Sequence, residues 1–118
     1  MKALPTMTGK NTMAEVATTK LMENDKVIVW EMVLEPGEST GVHTHEHSYV
    51  IQVLEGSVIR ATDENGENPT DLHLKADRTH WVEVRDGQVW LGDKPTSATH
   101  DAKNDGTNRY RELLIEIK

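Results

Sequence analysis

The chain has 118 residues, which suits one domain large enough to bury a hydrophobic core without covalent cross-links. It contains no cysteine, which excludes disulfides, thiolate zinc sites and a cysteine nucleophile, and favours a cytoplasmic location. The formal net charge is −7 and the basic residues are scattered, which argues against a nucleic-acid partner and against binding to an anionic membrane.

Residues 1–17 form a polar arm with no apolar periodicity and no long apolar run. We therefore expect neither a signal peptide nor a membrane span in this arm. The arm is expected to be loosely ordered or to pack as an edge strand, with a partner subunit as one candidate surface. A single domain is expected over residues 18–118, and the arm together with strands that look buried on both faces favours a homodimer.

The rest of the chain shows short alternating or β-branched runs that are separated by turn residues. These runs predict strands at residues 18–22, 26–34, 42–45, 49–54, 57–62, 70–75, 79–84, 88–91 and 110–117. The stretch 92–99 is predicted to be irregular. About ten short strands, with turns roughly every 6–12 residues, predict an all-β sandwich, barrel or jelly roll.

Three dipeptides predict tight turns in this pattern. Residues 55–56 (Glu-Gly) and residues 86–87 (Asp-Gly) each predict one. Asn65-Gly66 is the strongest hairpin signal, because a type I′ turn needs positive φ at both central residues and this pair tolerates it.

His43 and His45 form a His-x-His pair on a predicted strand. Side chains two residues apart on a strand share one face, with their Cα atoms ~6.5–7 Å apart. Imidazole nitrogens bind transition metals at ~2.0–2.1 Å, so two such rings that lean together can share one ion. The pair alone fits two surface histidines equally well, and a third histidine downstream is needed to favour a metal site.

The pair belongs to a longer set of residues at fixed spacing, namely Gly37, His43, His45, Gly56, Pro95, His100 and Asn104. In this set the chain resembles the cupin superfamily, whose motifs are G-x5-H-x-H-x3,4-E-x6-G and G-x5-P-x-G-x2-H-x3-N. The resemblance implies a cupin-type double-stranded β-helix, a jelly-roll barrel, which agrees with the strand pattern. It also implies that His43, His45 and His100 hold a divalent metal ion in the mouth of the barrel.

The chain departs from these motifs in three places. Tyr49 stands where the family has its glutamate ligand, Ser97 replaces the glycine of P-x-G, and the glycine that opens the second motif is displaced. Without the glutamate, a bound metal has three neutral imidazole ligands and keeps its full charge, so water or an anionic substrate is its natural partner. The segment His-x-His-x-His-x-Tyr-Val also resembles a small-cupin subgroup that includes proteins linked to β-alanine degradation.

Other polar residues near these motifs are candidates for supporting roles. Tyr49 is interpreted as a hydrogen-bond donor facing the pocket, because a phenol with a free pKa near ~10 disfavours phenolate ligation. Arg60 is a candidate to face into the barrel and bind a substrate carboxylate bidentately, and a solvated strand face is at least as well supported. His47 is interpreted as a turn residue near the site, and His73 and His80 as surface residues.

These features favour a metal-dependent enzyme that acts on a small polar or carboxylate-containing molecule. The preferred interpretation is a dioxygenase-type reaction with Fe(II), in which Tyr49 and Arg60 are the catalytic candidates beside the three histidine ligands. Three imidazoles suit Zn, Ni, Mn, Cu or Co as well. A metal-dependent isomerase or lyase, and a non-catalytic metal- or ligand-binding module, are the alternatives.

Overall fold

The computed structural model describes residues 13–118, which form eleven β-strands and no helix. In chain order the strands are β1 (Thr19–Glu23), β2 (Val27–Leu34), β3 (His43–Thr44), β4 (Tyr49–Glu55), β5 (Ser57–Asp63), β6 (Thr70–Leu74), β7 (Thr79–Arg85), β8 (Gln88–Leu91), β9 (Lys94–Ser97), β10 (Thr99–Asn104) and β11 (Tyr110–Ile117). The all-β class predicted from the sequence is confirmed. Within this part of the chain, no helix is long and apolar enough to cross a membrane.

The strands form two antiparallel sheets with the hydrophobic core between them. The larger sheet has seven strands in the order β9-β8-β7-β4-β11-β2-β1, and the smaller has four in the order β3-β10-β5-β6. The last strand, β11, lies at the centre of the larger sheet, where it pairs with both β2 and β4. The two ends of the described chain are thereby joined within one sheet.

Alternation along the central strands decides which side chains enter the core. In β11 the side chains of Tyr110, Glu112, Leu114 and Glu116 are buried, and those between them are mostly half-buried. The strand β4 alternates in the same way, and its Val53 is fully buried. Burial of one such aliphatic side chain contributes roughly 1.5–3 kcal/mol. The inward-facing side chains of these central strands therefore form much of the core.

Gly56 marks the point where the chain crosses from one sheet to the other. It separates β4 of the larger sheet from β5 of the smaller, so the tight turn predicted at residues 55–56 is instead a crossover. A Cβ atom placed on Gly56 would lie 2.5 Å from the carbonyl oxygen of Leu74. Glycine is needed here for close backbone approach, not for a positive φ.

The other two predicted turns have different outcomes. Asp86 and Gly87 have φ of 56° and 74° and join the paired residues Arg85 and Gln88, as a two-residue type I′ hairpin requires. The prediction of a type I′ turn at Asn65-Gly66 is wrong. There the loop is longer, because the Asp63 carboxylate accepts hydrogen bonds from the backbone N–H groups of residues 65 and 67, each at 2.9 Å.

The stretch 92–99, predicted to be irregular, contains β9 and the start of β10. Neither strand is rich in β-branched or aromatic residues, so local propensity gives little signal. Pairing with other strands stabilises them: β9 pairs with β8, and β10 lies between β3 and β5. The correction matters for the site, because β10 carries His100.

Residues 1–12 of the predicted arm lie outside the described residues. The remainder of the arm packs on its own domain, with the backbone N–H of Ala14 donating to the carbonyl of Val42 at 2.9 Å. Val16 and Ala17 are buried in the core. Residues 13–17 therefore belong to the domain and not to a free arm.

Candidate metal centre

Two short strands bring His43 and His100 together. His43 begins β3, and its direct cross-strand partner in β10 is His100. His45 follows β3, where its backbone N–H donates to the carbonyl of Ala98 at 2.9 Å. The exposed fractions of His43, His45 and His100 are 1%, 4% and 6%. The structure thus gathers the three predicted ligands in the interior, although they come from two distant segments of the chain.

The spacing of the imidazole nitrogens fits a single metal ion. The Nε2 atoms of His43 and His45 lie 3.1 Å apart, and one candidate ligand atom from each of the three rings lies within 4.8 Å of the others. Two nitrogens bound to one ion at ~2.0–2.1 Å, with an angle of about 90–110° between the bonds, lie roughly 2.8–3.4 Å apart. The His43–His45 pair is already at that separation.

Backbone carbonyls fix which nitrogen of two rings carries the proton. The Nδ1 atom of His43 lies 2.9 Å from the carbonyl oxygen of Gly41, and that of His100 lies 2.8 Å from the carbonyl oxygen of Ser97. A carbonyl only accepts, so each Nδ1 donates and each Nε2 keeps a free lone pair. This arrangement is typical of metal-binding histidines. Ser97, which departs from the motif glycine, takes part through its backbone.

Burial keeps the cluster neutral. It lowers the pKa of His43 and brings that of His100 to about 4, to which the neighbouring His43 also contributes. The pKa of His45 lies well below its ordinary value, because of burial first and the two adjacent imidazoles second. Neutral rings are the form that ligates metals.

Asp101 supports the cluster and was missed in the sequence. Its carboxylate accepts a hydrogen bond from the backbone N–H of Gly41 at 3.0 Å and one from the Thr40 hydroxyl at 3.3 Å. These bonds hold the loop whose carbonyl orients His43. Because a lone aspartate beside a histidine is common in any chain, the sequence carried no signal for this role.

Solved structures resemble this chain in fold. A cupin domain from Bordetella pertussis Tohama I matches with a TM-score of 0.62 and 22% identity, over 85% of this chain and 90% of that one. An RmlC-like cupin family protein from Methanocaldococcus jannaschii, described as a double-stranded β-helix, matches with a TM-score of 0.58 and 14% identity, over 92% and 84%. The chain has the cupin fold. No protein-family model and no curated protein sequence matches it.

A third cupin superfamily protein, from Desulfitobacterium hafniense DCB-2, matches with a TM-score of 0.52 and 15% identity, over 84% of this chain and 73% of that one. The fold implied by the sequence resemblance is therefore confirmed. The resemblance to the subgroup linked to β-alanine degradation is not confirmed by these matches.

A cavity of about 70 Å³ lies beside the histidines inside the cupin fold. A cavity needs roughly 10–15 Å³ to hold one water molecule, so this one has room for several water-sized groups. Aliphatic side chains from both sheets form most of its wall, among them Ile59, Leu72, Leu74, Val89 and Leu91. Such a wall suits a small ligand with an apolar part.

Tyr49 lies in the wall of this cavity, on the side of His45. Its ring stacks on the His45 ring, with centroids 4.5 Å apart and planes 22° apart. Burial raises the pKa of Tyr49 above its ordinary value, and the nearby Glu112 and Glu116 add to the effect. The phenol is therefore protonated at neutral pH and can donate a hydrogen bond. Its role as a catalytic donor stays a prediction.

Glu112 is a cavity residue that the sequence reasoning missed. It lines the cavity with an exposed fraction of 3%, and one carboxylate oxygen accepts a hydrogen bond from the Tyr110 hydroxyl. Burial raises its pKa to about 7, against the opposing effect of that hydrogen bond. The parity of the predicted strand was the available signal, because Glu112 shares the inward face with Tyr110 and Leu114.

Arg60 lies outside the cavity, so the expectation that it faces into the barrel is wrong. In β5 the neighbours Ile59 and Ala61 point inward, which turns Arg60 to the outer face. Its guanidinium binds the Asp71 carboxylate with contacts of 2.8 and 3.2 Å, and a third contact of 3.4 Å reaches Asp105. A side chain held in this way is not available to a ligand in the cavity.

The remaining histidines lie apart from the cluster. His47 and His80 are half-buried and His73 is exposed. Within residues 13–118, the group of side chains close enough to share an ion contains His43, His45 and His100 and no other residue. The interpretation of His47, His73 and His80 as non-ligands agrees with this placement.

Proposed function

We propose that this chain binds one divalent metal ion through His43, His45 and His100 and uses it to act on a small molecule held in the adjacent cavity. The observation that carries the proposal is the pair of Nε2 atoms at 3.1 Å in a buried, neutral cluster. Three neutral ligands leave the positive charge of an ion uncompensated, which favours an anionic or polar substrate.

We further propose a dioxygenase-type reaction with Fe(II). Iron supplies reactivity toward oxygen when it is bound, whereas zinc supplies Lewis-acid chemistry. The residues of the chain contribute in other ways: His43, His45 and His100 hold the ion, the aliphatic wall excludes water, and the Tyr49 hydroxyl orients a polar group of the substrate. The presence of both an apolar wall and a hydroxyl donor beside the ligands supports catalysis over simple storage of the ion.

Metal analysis of the full-length untagged chain tests the proposal. We expect close to one metal ion per chain after purification or reconstitution, and loss of that ion in His43→Ala and His100→Ala. His73→Ala is the matched control, because His73 is an exposed histidine on β6 outside the cluster. A wild-type chain that takes up no metal, or variants that keep it, would show that the cluster is not a metal site.

A metal-dependent isomerase or lyase is the second candidate. The observation that favours it is Glu112, because a buried carboxyl in the wall of the cavity is placed to exchange a proton with a ligand held there. The identity of the bound metal separates the candidates. Iron together with substrate-dependent oxygen uptake supports the dioxygenase, and zinc without oxygen uptake supports proton-transfer chemistry.

A homodimer and a cytoplasmic location stay predictions. The edge strand β1 is exposed along its length and carries Leu21 and Met22, with exposed fractions of 51% and 45%. An exposed apolar edge of this kind supports association of two copies. Light scattering that gives a mass near 13.3 kDa would contradict the dimer.

A further inference from the structure

Lys94 stands at the opening of the cavity. It begins β9, where Lys94 and Thr96 are two residues apart and both line the cavity. The cross-strand partners of these two residues are Leu91 and Val89, which are part of the apolar wall. Lys94 itself is exposed, whereas Glu112 and the histidines are buried. Lys94 therefore belongs to the exposed part of the cavity lining, and the histidine cluster to the buried part.

The Lys94 ammonium is available to a ligand. In the part of the chain that the structure describes, no carboxylate lies within 4 Å of it, and residues 1–12 contain no aspartate or glutamate. The pKa of Asp71 is lowered chiefly by its hydrogen bond from Arg60 and only slightly by Lys94. The Asp71 carboxylate is thus already bound by Arg60. Among the residues that the structure describes, Lys94 is the only lysine or arginine that lines the cavity.

Charge favours an anion at Lys94 and disfavours one beside the Glu112 carboxyl. The net charge of the chain is −7, so an anionic ligand needs a local cation to approach. At the inner end the Glu112 carboxyl repels a second carboxylate whenever it is ionised. A ligand whose carboxylate binds Lys94 would place the rest of its body against the aliphatic wall, which favours an apolar body.

We propose that Lys94 binds the carboxylate of the substrate, and that the substrate class is small monocarboxylic acids with a short apolar body. The assignment rests on the proposed function, because it takes the cavity as the substrate site. It gives Lys94 the role that the sequence suggested for Arg60. Lys94 is in this view a specificity-determining residue, since it selects the anionic end of the ligand without contacting the metal.

Binding of butyrate, measured by titration calorimetry, tests the proposal on the full chain loaded with Zn²⁺. We expect Lys94→Gln to weaken binding by about fivefold, as for an exposed ion pair, and Lys94→Arg to stay within about twofold of the wild type. Arg60→Gln is the matched control and should bind butyrate as the wild type does. Added salt should weaken binding to the wild type and have little effect in Lys94→Gln.

The same titrations on chelator-treated protein separate this proposal from the metal proposal. If Lys94 binds the carboxylate, the ratio of affinities between wild type and Lys94→Gln persists without metal. If butyrate binding disappears with the metal and does not depend on Lys94, the carboxylate binds the ion and the proposal is wrong. Equal binding by wild type and Lys94→Gln, no binding of butyrate to the wild type, or stronger binding of n-butylamine would overturn it as well.

Discussion

The free energy of unfolding of the wild type should fall as Glu112 ionises with rising pH. Replacing Glu112 by glutamine should abolish this fall. Glu112 is 3% exposed, and burial raises its pKa from 4.5 to about 7 despite the hydrogen bond from Tyr110. A carboxyl whose folded-state pKa lies above its unfolded-state value contributes stability that is fully present below the unfolded pKa. That contribution is lost as the pH rises through the folded pKa. The stability that Glu112 contributes is therefore lost between about pH 4.5 and about pH 7.

The size of the effect follows from the two pKa values. One pKa unit corresponds to about 1.4 kcal/mol, so a rise from 4.5 to about 7 gives an upper bound of roughly 3 kcal/mol. The amide of glutamine does not titrate, and it can accept the same hydrogen bond from Tyr110. The free energy of unfolding of Glu112→Gln, relative to that of the wild type, should therefore increase by up to roughly 3 kcal/mol between pH 4.5 and pH 8.

Urea unfolding at several pH values measures this difference. The protein should be treated with a chelator first, because a cation bound at the histidine cluster would lower the Glu112 pKa. Glu64→Gln is the control, since Glu64 is exposed in the loop after β5. Its free energy of unfolding should follow that of the wild type at every pH. A constant difference between Glu112→Gln and the wild type across the range would mean that the buried carboxyl titrates normally.

Two further substitutions test how the fold positions the site. Asp101→Asn should weaken metal binding by about tenfold, because it removes the charge that holds the Gly41 loop, and competition with a chelator of known affinity measures the change. An unchanged metal affinity would contradict this role for Asp101. Gly56→Ala should destabilise the fold by more than about 2 kcal/mol, because its Cβ would lie 2.5 Å from the Leu74 carbonyl oxygen. A thermal melt within a few degrees of the wild type would refute this reasoning.

The sequence predicted the residues of the histidine cluster partly from local information and partly from the resemblance to cupins. His43 and His45 are two residues apart on a strand, and the motif spacing supplied His100. The eight-residue length of the segment 110–117 and the strands predicted around it likewise favoured a strand although helix propensity pointed the other way, and the structure has a strand there. For the His43–His45 pair, a short stretch of residues determines the face on which both side chains lie.

The parts that were missed depend on contacts between distant segments. The strand β10 has weak β propensity and is stabilised by its pairing with β3 and β5. The exposed position of Lys94 at the cavity opening depends on the pairing of β9 with β8, which the sequence does not show. The orientations of Arg60 and Glu112 are the exception, because strand parity could have predicted them. Ile59 and Ala61, on either side of Arg60, are buried, and Glu112 lies two residues from the buried Tyr110 and Leu114.

The pairing of His43 with His100 gives a bound ion a second effect. These two ligands are separated by about half of the chain, and they face each other across β3 and β10. An ion held by both would close a long loop, much as a disulfide does in a chain that has cysteine. The free energy of unfolding would then rise with the free metal concentration, so that the supply of the ion would set the folded fraction of the protein.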